Sequence, residues 1–184
     1  MNIDEVNVCK RLLDVGSVGS FLPINLASQG YEVWCIDVRQ YEGKGLVQNL
    51  KFLVGDVRKT RFENDFFDCV IAVSTLEHIG LGRYGEWLEP DGDITAVSEI
   101  SRIMSINGML LVTLPFGKGE VFPSHRVYNQ QRLRAILKGL KVEREDYYTR
   151  NKSGFWSPCA KEDLSETRSP KVEMGLACIK ARKI

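Results

Sequence analysis

The sequence predicts an α/β fold built on a largely parallel sheet. Seven apolar runs typical of strands recur along the 184 residues, and helix-period segments separate several of them. This alternation is typical of parallel sheets with crossover helices. The last two runs follow each other without a helical segment, so we expect them to pair as antiparallel neighbours. The runs are residues 12–15, 32–36, 50–54, 68–73, 109–114, 141–148 and 176–180.

The first predicted strand leads into a glycine turn and a helix. Three of residues 12–15 are apolar, as suits a strand that is buried on both faces. Gly16 and Gly19 permit a sharp turn that comes close to a ligand. We expect Ser20 to cap the following helix with its hydroxyl and Pro23 to lie in the first helical turn. Unpaired amides at such a helix start attract a carboxylate or a phosphate.

Two further helices are predicted in the second half of the chain. Residues 94–104 place apolar side chains at helical spacing, and the turn residues Asn107 and Gly108 close this helix. Residues 130–138 form a second helix with one apolar side. The polar stretch of residues 149–171 is longer than most structureless connections, so we expect it to be either functional or disordered.

An acid stands at the tip of the second strand. Asp37 follows the glycine turn by about 20 residues, which is the spacing of a nucleotide-binding βαβ unit. There its carboxylate can accept hydrogen bonds from both hydroxyls of a ribose. An ordinary strand-to-helix turn closed by a solvated acid is the alternative interpretation. The sequence therefore predicts a ligand that carries a ribose.

Length and composition limit the remaining possibilities. A chain of 184 residues with 43% hydrophobic content is consistent with one domain, which we place at residues 1–184. The formal charge of +1 gives no reason to expect a nucleic-acid partner. No apolar run approaches the ~18 residues of a membrane span, and we expect no secretory leader. The five cysteines form no Cys-x-x-Cys pair, which favours a reducing, cytoplasmic environment.

From about residue 11 to residue 181, the sequence resembles the class I S-adenosylmethionine-dependent methyltransferases. The resemblance lies in Leu-Asp-Val-Gly at residues 13–16, Ile-Asp at 36–37, Gly-Asp-Val at 55–57, and the strand and loop of residues 67–78. It implies a Rossmann-like sheet of seven strands, mostly parallel, with an antiparallel last strand and helices on both faces. One departure concerns the glycine turn, because Val18 and Ser20 stand where the family usually has glycine. A Cβ there narrows the space for the methionine part of the cofactor.

The resemblance implies S-adenosylmethionine as the cofactor and S-adenosylhomocysteine as its product. It assigns the methionine carboxylate to the glycine turn, the ribose to Asp37 and the adenine amino group to Asp56. Asp14 would orient the turn or reach the cofactor's ammonium through water. A turn-capping role for Asp56 and a purely structural role for Asp14 are the alternatives. The implied cofactor residues are Asp14, Gly16, Ser17, Gly19, Asp37, Val38, Gly55, Asp56, Val57, Ser74 and Leu76.

Two neighbouring residues are predicted to take part in catalysis. Methyl transfer from a sulfonium is an in-line displacement, so positioning of the acceptor contributes most of the catalysis. An acceptor hydroxyl must also lose a proton, and His78 is the candidate base because imidazole titrates near neutral pH. Glu77 could orient that imidazole, whereas packing of His78 beneath the cofactor is the alternative. The acids lack metal-ligand spacing, so no metal site is expected.

Five residues are predicted to contact the acceptor. Tyr84 and Trp87 lie in a glycine-rich loop and could cover a sugar or an aromatic face, unless they form a small core beneath the loop. His125, Arg126 and Tyr128 follow the fifth strand, so we expect them on the same edge of the sheet. His125 and Arg126 could bind a hydroxyl, a carboxylate or a phosphate, although a loop leading into the next helix, with Asn129 as the cap of that helix, also explains them.

The predicted function is methyl transfer to a small-molecule acceptor, at an oxygen atom of a sugar or another hydroxylated metabolite. The glycine turn and the His-Arg-Val-Tyr segment of residues 125–128 also resemble small methyltransferases associated with sugar and polysaccharide biosynthesis. Two alternatives stay open. One is a non-catalytic Rossmann-like protein that binds the cofactor or serves in assembly, and the other is an NAD-binding oxidoreductase. The expected partner is the small-molecule substrate, and a homo-oligomer stays open.

Overall fold

A mixed eight-stranded sheet forms the centre of the computed structural model, which describes residues 9–41, 47–165 and 174–184. The helices are α1 (Leu22–Ser28), α2 (Gly92–Ile103) and α3 (Gln130–Ile136). The strands are β1 (Arg11–Val15), β2 (Glu32–Asp37), β3 (Leu50–Val54), β4 (Phe67–Val73), β5 (Met104–Pro115), β6 (Glu120–Phe122), β7 (His125–Val127), β8 (Leu140–Arg150), β9 (Trp156–Pro158) and β10 (Met174–Lys183). Short 3₁₀ turns cover Leu76–His78 and Glu162–Leu164.

The order of strands in the sheet is β3-β2-β1-β4-β5-β10-β8-β9, and β6 pairs with β7 in a separate hairpin. Strands β1 to β5 run parallel, whereas β10 is antiparallel to both β5 and β8. All seven predicted strands are present, and the mostly parallel sheet with an antiparallel last strand is confirmed. The sheet has eight strands instead of seven because β9 adds a short edge strand beside the end of β8.

The first helix begins later than the glycine turn suggests. Helix α1 starts at Leu22, and no side chain caps it from the position before. Ser20 lies one position before the N-cap residue Phe21, so it is not the N-cap residue. Its hydroxyl nevertheless accepts a hydrogen bond at 3.2 Å from the N–H of Leu22, the first residue of the helix, so the predicted contact with the helix start is present. Pro23 lies in the first turn, as predicted.

The ends of the other two helices also differ from the prediction. Helix α2 stops at Ile103 and the chain enters β5 directly, so Asn107 and Gly108 form an irregularity within that strand instead of closing the helix. Helix α3 ends at Ile136, and its predicted cap is confirmed because the Asn129 side chain accepts a hydrogen bond from the Arg132 N–H at 2.9 Å.

The long polar stretch after β8 has local structure in the described residues. It contains β9 and the turn Glu162–Leu164, so it is not a structureless connection up to residue 165. The rest of the predicted segment, residues 166–171, lies outside the described residues.

Apolar side chains on both faces of the central strands form the core. Leu12 packs with Leu26 of α1 on one face, whereas its neighbour Leu13 packs on the opposite face with Ile100 of α2. Successive residues of a strand point to opposite faces, which explains why β1 is apolar on both. No helix within the described ranges has the length and apolar character needed to cross a membrane.

A buried carboxylate in the first turn of α2 joins three elements. Asp93 accepts a hydrogen bond from the Tyr128 hydroxyl at 2.9 Å and from Arg132 through Nε at 3.1 Å and through Nη2. The Nε of buried Arg126 lies 3.8 Å from the same carboxylate. Because Asp93 is fully buried, its charge is balanced by these two arginines rather than by water. The network fixes β7 and α3 against α2.

Replacement of Asp93 by alanine should destabilise the fold strongly. The substitution leaves the Arg126 guanidinium buried without its acid and removes the acceptor of the Tyr128 hydroxyl. We expect the free energy of unfolding to fall by about 3–5 kcal/mol, measured by urea denaturation. Asp91→Ala is the matched control, because Asp91 pairs with Arg132 from a mostly exposed position and should cost less than about 1 kcal/mol. Similar small losses for both variants would contradict this assignment.

Candidate active site

The carboxyl ends of four parallel strands meet at a cleft. Open α/β sheets bind ligands at this edge. The lining residues are Val15, Gly16, Ile36, Asp37, Val38, Arg39, Gly55, Asp56, Val57, Ser74, Thr75, His78, Ile79, Tyr84 and Glu86. They include seven of the eleven predicted cofactor residues, together with the predicted base His78 and the predicted acceptor contact Tyr84. The predicted elements thus come together in space.

The glycine turn after β1 is held against the neighbouring strands. Gly16 has a φ of 76°, and its N–H donates to the Ile36 carbonyl at 2.8 Å. A Cβ on Gly16 would collide with the side chain of Thr75, so both the conformation and the space require glycine. Val18 and Ser20, the departures from the family pattern, are not among the lining residues. The turn therefore presents Gly16 to the cleft.

Four predicted cofactor residues lie outside the lining of the cleft. Asp14, Ser17 and Leu76 are buried, and Gly19 is exposed. Burial, followed by the nearby charge of Asp37, raises the pKa of Asp14 to about 7. The Oδ2 atom of Asp14 has no hydrogen-bond partner in the described part of the chain. Asp14 therefore carries a proton in a substantial fraction of molecules at neutral pH.

Asp37 at the end of β2 receives four hydrogen bonds. Its Oδ1 accepts from the backbone N–H and from the Nε of Arg39, both at 2.9 Å. Its Oδ2 accepts from the Val18 N–H at 3.0 Å and from the Nη2 of Arg39 at 2.8 Å. Burial raises the pKa of Asp37, but the hydrogen bonds from Arg39 outweigh it and hold the pKa below its ordinary value. The wall of the cleft thus contains an ionised carboxylate.

The same arrangement recurs at the end of β3. Asp56 accepts two hydrogen bonds from Arg58, one from its backbone N–H at 2.9 Å and one from its side-chain Nη2 at 2.6 Å. Burial raises the pKa of Asp56, and the hydrogen bonds from Arg58 lower it below its ordinary value. Residues 37–39 and 56–58 share the sequence Asp-Val-Arg. The sequence analysis does not identify Arg39 and Arg58 as partners of the two acids. The repeated Asp-Val-Arg sequence at two successive strand ends is a signal that could have identified them.

A loop of residues 79–91, here named the covering loop, reaches over the cleft. Arg126 holds its two ends together by donating to the Ile79 carbonyl at 2.7 Å and to the Pro90 carbonyl at 3.0 Å. Arg58 holds its middle, because Nη1 donates to the Trp87 carbonyl at 3.2 Å. Both arginines are almost completely buried. The two arginines therefore fix the position of the covering loop through its backbone carbonyl groups.

Tyr84 is the side chain of the covering loop that faces Arg39, two residues after the end of β2. The guanidinium carbon of Arg39 lies 4.4 Å from the centre of the Tyr84 ring. Glu86 shapes the loop below it, because its two carboxylate oxygens accept from the N–H groups of Gly82 at 3.0 Å and Tyr84 at 2.9 Å. A cation–π contact thus connects the loop to the Asp37 site.

His78, the predicted base, lines the cleft as a neutral imidazole. Its Nδ1 lies 2.5 Å from the Ser124 carbonyl, which can only accept, and 3.2 Å from the Nη1 of Arg83, which can only donate. We assign the hydrogen to Nδ1 because the contact with the carbonyl is much the shorter of the two, so Nε2 of the neutral ring is unprotonated. Burial lowers the pKa of His78, the hydrogen bond to Ser124 opposes this, and the charges of Arg83 and His125 lower it further. The imidazole is therefore neutral at pH 7. The role of Ser124, a backbone carbonyl, leaves no signal in the sequence.

Glu77 does not orient His78 through a hydrogen bond, so that part of the prediction is wrong. Its Oε1 is 3.8 Å from the His78 Nε2, which is too long, and the Ser124 carbonyl orients the ring instead. Burial raises the pKa of Glu77 to about 8, and its Oε2 has no hydrogen-bond partner among the described residues. Glu77 is thus mostly a neutral acid beside the base, outside the lining of the cleft.

Of the five residues predicted to contact the acceptor, Tyr84 is the one that lines the cleft. Trp87 is 76% exposed on the covering loop. The predictions for Arg126 and Tyr128 are wrong, because both are buried and engaged with loop carbonyls or with Asp93. His125 stacks on Phe122 outside the lining, and its buried Nε2 has no hydrogen-bond partner in the described ranges.

Comparison with solved structures places the fold among methyltransferases. A S-adenosylmethionine-dependent methyltransferase from Methanosarcina mazei is 16% identical, with a TM-score of 0.69 over 100% of this chain and 98% of that chain. The 1,6-didemethyltoxoflavin-N1-methyltransferase of Burkholderia thailandensis, crystallised with 1,6-didemethyltoxoflavin and S-adenosylhomocysteine, is 15% identical, with a TM-score of 0.67 over 94% and 70%. The [4+2]-cyclase SpnF is 19% identical, with a TM-score of 0.62 over 94% and 74%. The TM-scores establish a shared fold, and at these low identities they show the fold alone.

Sequence comparison identifies the family. No curated protein matches the chain. Residues 49–155, from the end of the segment before β3 to the loop after β8, match the family model described as "Caenorhabditis protein of unknown function, DUF268". The match spans more than half of the chain. The chain therefore belongs to the DUF268 family, and its fold is the Rossmann-like fold of the class I S-adenosylmethionine-dependent methyltransferases.

Proposed function

We propose that this protein is a S-adenosylmethionine-dependent methyltransferase that acts on an oxygen atom of a small hydroxylated molecule, such as a sugar. One observation carries the proposal: the Gly16 turn, the carboxylates of Asp37 and Asp56, and the unprotonated imidazole of His78 line a single cleft. The fold and the edge of the sheet at which the cleft lies support it. The fold alone does not determine the reaction, so the proposal depends on this site.

The lining residues fit the cofactor in their chemistry. Asp37 is an ionised acceptor suited to ribose hydroxyls. Asp56 is a second ionised acceptor, and Arg58 places three N–H groups on it, one fewer than the four donors on Asp37, so one acceptor position is left for the adenine amino group. Val38 and Val57 supply apolar surface beside these acids, and the turn at Gly16 lines the same cleft as the proposed contact of the methionine part. Bound there, S-adenosylmethionine supplies a methyl group on a sulfonium, which needs no further activation.

His78 would remove the proton from the acceptor hydroxyl. Its Nδ1–H is fixed by the Ser124 carbonyl, so the lone pair of Nε2 is the site of protonation. Burial keeps the imidazole neutral before the reaction. Glu77 lies 3.8 Å from Nε2 but is mostly neutral, so it supplies no countercharge to the imidazolium. Tyr84, at the mouth of the cleft, offers an aromatic face to the acceptor.

Calorimetric titration tests the cofactor. S-adenosylmethionine and S-adenosylhomocysteine should bind with micromolar Kd, and NAD should not bind. Asp37→Ala should raise the Kd of S-adenosylhomocysteine by roughly 5- to 150-fold, as for loss of about 1–3 kcal/mol when ribose hydroxyls lose their acceptor. Glu143→Ala, on the distant strand β8, is the control and should leave the Kd unchanged. Binding of NAD alone would favour an oxidoreductase, and an unaltered Kd in the Asp37 variant would reject the ribose assignment.

Replacement of His78 tests the base. With an acceptor selected from sugars, nucleotide sugars and phenols, His78→Gln should lower kcat by roughly 10²- to 10⁴-fold. The Kd of S-adenosylhomocysteine should change less than about twofold, because the imidazole acts on the acceptor. In the wild-type enzyme, kcat should rise with pH as the imidazole of His78 loses its proton. Because the pKa of His78 is lowered, kcat should no longer change with pH above about 6.5, the ordinary pKa of histidine. Full turnover of the variant, or a rate that still rises above that range, would exclude His78 as the base.

A further inference from the structure

The carboxylate of Asp37 has no free acceptor position in this structure. Each carboxylate oxygen offers two lone-pair directions, which gives four positions in all. Backbone N–H groups of Val18 and Arg39 occupy two of them, and the Nε and Nη2 atoms of the Arg39 guanidinium occupy the other two. The backbone donors belong to the turn and the strand end, so they stay in place. A ribose that donates two hydroxyls to Asp37 therefore needs the positions that the guanidinium holds.

The Arg39 guanidinium is able to leave Asp37, whereas that of Arg58, its counterpart after β3, is held in place at Asp56. The side chain of Arg39 is 36% exposed, and that of Arg58 is 3% exposed. Arg58 is also tied to the covering loop by hydrogen bonds to Glu89 at 2.9 Å and to the Trp87 carbonyl at 3.2 Å. Among the described residues, the contacts of Arg39 beyond Asp37 are a long one to the Val18 carbonyl at 3.4 Å and the stacking on Tyr84. The two Asp-Val-Arg segments thus hold one displaceable and one fixed arginine.

The cleft is too small for a nucleoside while Arg39 and Tyr84 keep their present positions. It encloses about 80 Å³, which is below the roughly 300–1,000 Å³ of most small-molecule sites. Arg39 and Tyr84, stacked on each other, both line this space. Displacement of the guanidinium separates the two side chains from their present contact and enlarges the cleft on the side of Asp37.

We propose that Arg39 is an internal competitor of the cofactor's ribose: its guanidinium occupies the hydroxyl-binding positions of Asp37 and leaves them when the nucleoside binds. The inference rests on the proposed function, because it requires a nucleoside at Asp37. Arg39 also connects Asp37 to Tyr84, so nucleoside binding releases one hold on the covering loop. Removal of the guanidinium should therefore strengthen binding of ligands with ribose hydroxyls, although it deletes a residue of the site.

The test compares hydroxylated and dideoxy ligands by calorimetry on the full chain. In Arg39→Gln, the Kd values of S-adenosylhomocysteine and adenosine should fall roughly two- to fivefold, the range expected for loss of a half-exposed ion pair. The Kd of 2′,3′-dideoxyadenosine should not change, because that ligand does not compete for Asp37. Arg83→Gln is the matched control: Arg83 also lies against Tyr84, at 5.2 Å, but has no contact with Asp37 among the described residues. It removes the same charge and should leave all three affinities unchanged.

Each outcome decides the inference. Unchanged or weaker binding of adenosine by Arg39→Gln overturns it while the proposed function stands. An equal gain for 2′,3′-dideoxyadenosine, or for Arg83→Gln, also overturns it, because the effect would then be one of general charge. Binding by Arg39→Gln but not by the wild-type protein supports it. Absence of binding by both proteins, with circular dichroism showing that both are folded, contradicts the proposed function and the inference together.

Discussion

The buried carboxylate of Asp93 is the interaction on which the arrangement of the site depends. It balances the charges of Arg126 and Arg132 and accepts the hydroxyl of Tyr128, so it joins α2 to β7 and α3. Arg126 in turn holds both ends of the covering loop by their carbonyls. A fully buried charge is tolerated only with such compensation, and loss of one partner leaves the others uncompensated. The fold thus uses one carboxylate to set the position of the loop that covers the cleft.

The chemistry of the cleft follows from groups whose charges are set by burial and by their neighbours. Asp37 and Asp56 are ionised because each faces an arginine two residues further along the chain. Glu77 and Asp14 are buried without such a partner, and the pKa of each is raised. Four acids near one strand edge therefore divide into two permanent acceptors and two groups that hold a proton. Under the proposed function, binding of a ribose at Asp37 would be an exchange of hydrogen-bond partners on that carboxylate.

The sequence predicts those features that depend on local pattern. Seven strands, the antiparallel end of the sheet and the Asn129 cap follow from periodicity and turn chemistry, whereas β9 is too short to give a signal. The His-Arg-Val-Tyr segment is misread as a substrate contact because its buried partner, Asp93, lies more than thirty residues away in the chain. The orientation of His78 by the Ser124 carbonyl is equally invisible, since any residue at position 124 supplies a carbonyl. Long-range pairing and backbone contacts are what a single sequence does not contain.

A crystal structure of the protein with S-adenosylhomocysteine tests most directly the claim that this strand edge is a cofactor site. The account predicts both ribose hydroxyls within hydrogen-bond distance of the Asp37 carboxylate, the adenine amino group at Asp56 and the homocysteine part against the turn at Gly16. It also predicts that His78 keeps its contact with the Ser124 carbonyl and faces the sulfur side of the ligand. A ligand bound elsewhere on the molecule, or a nucleoside at the cleft that makes no contact with Asp37, would contradict the account.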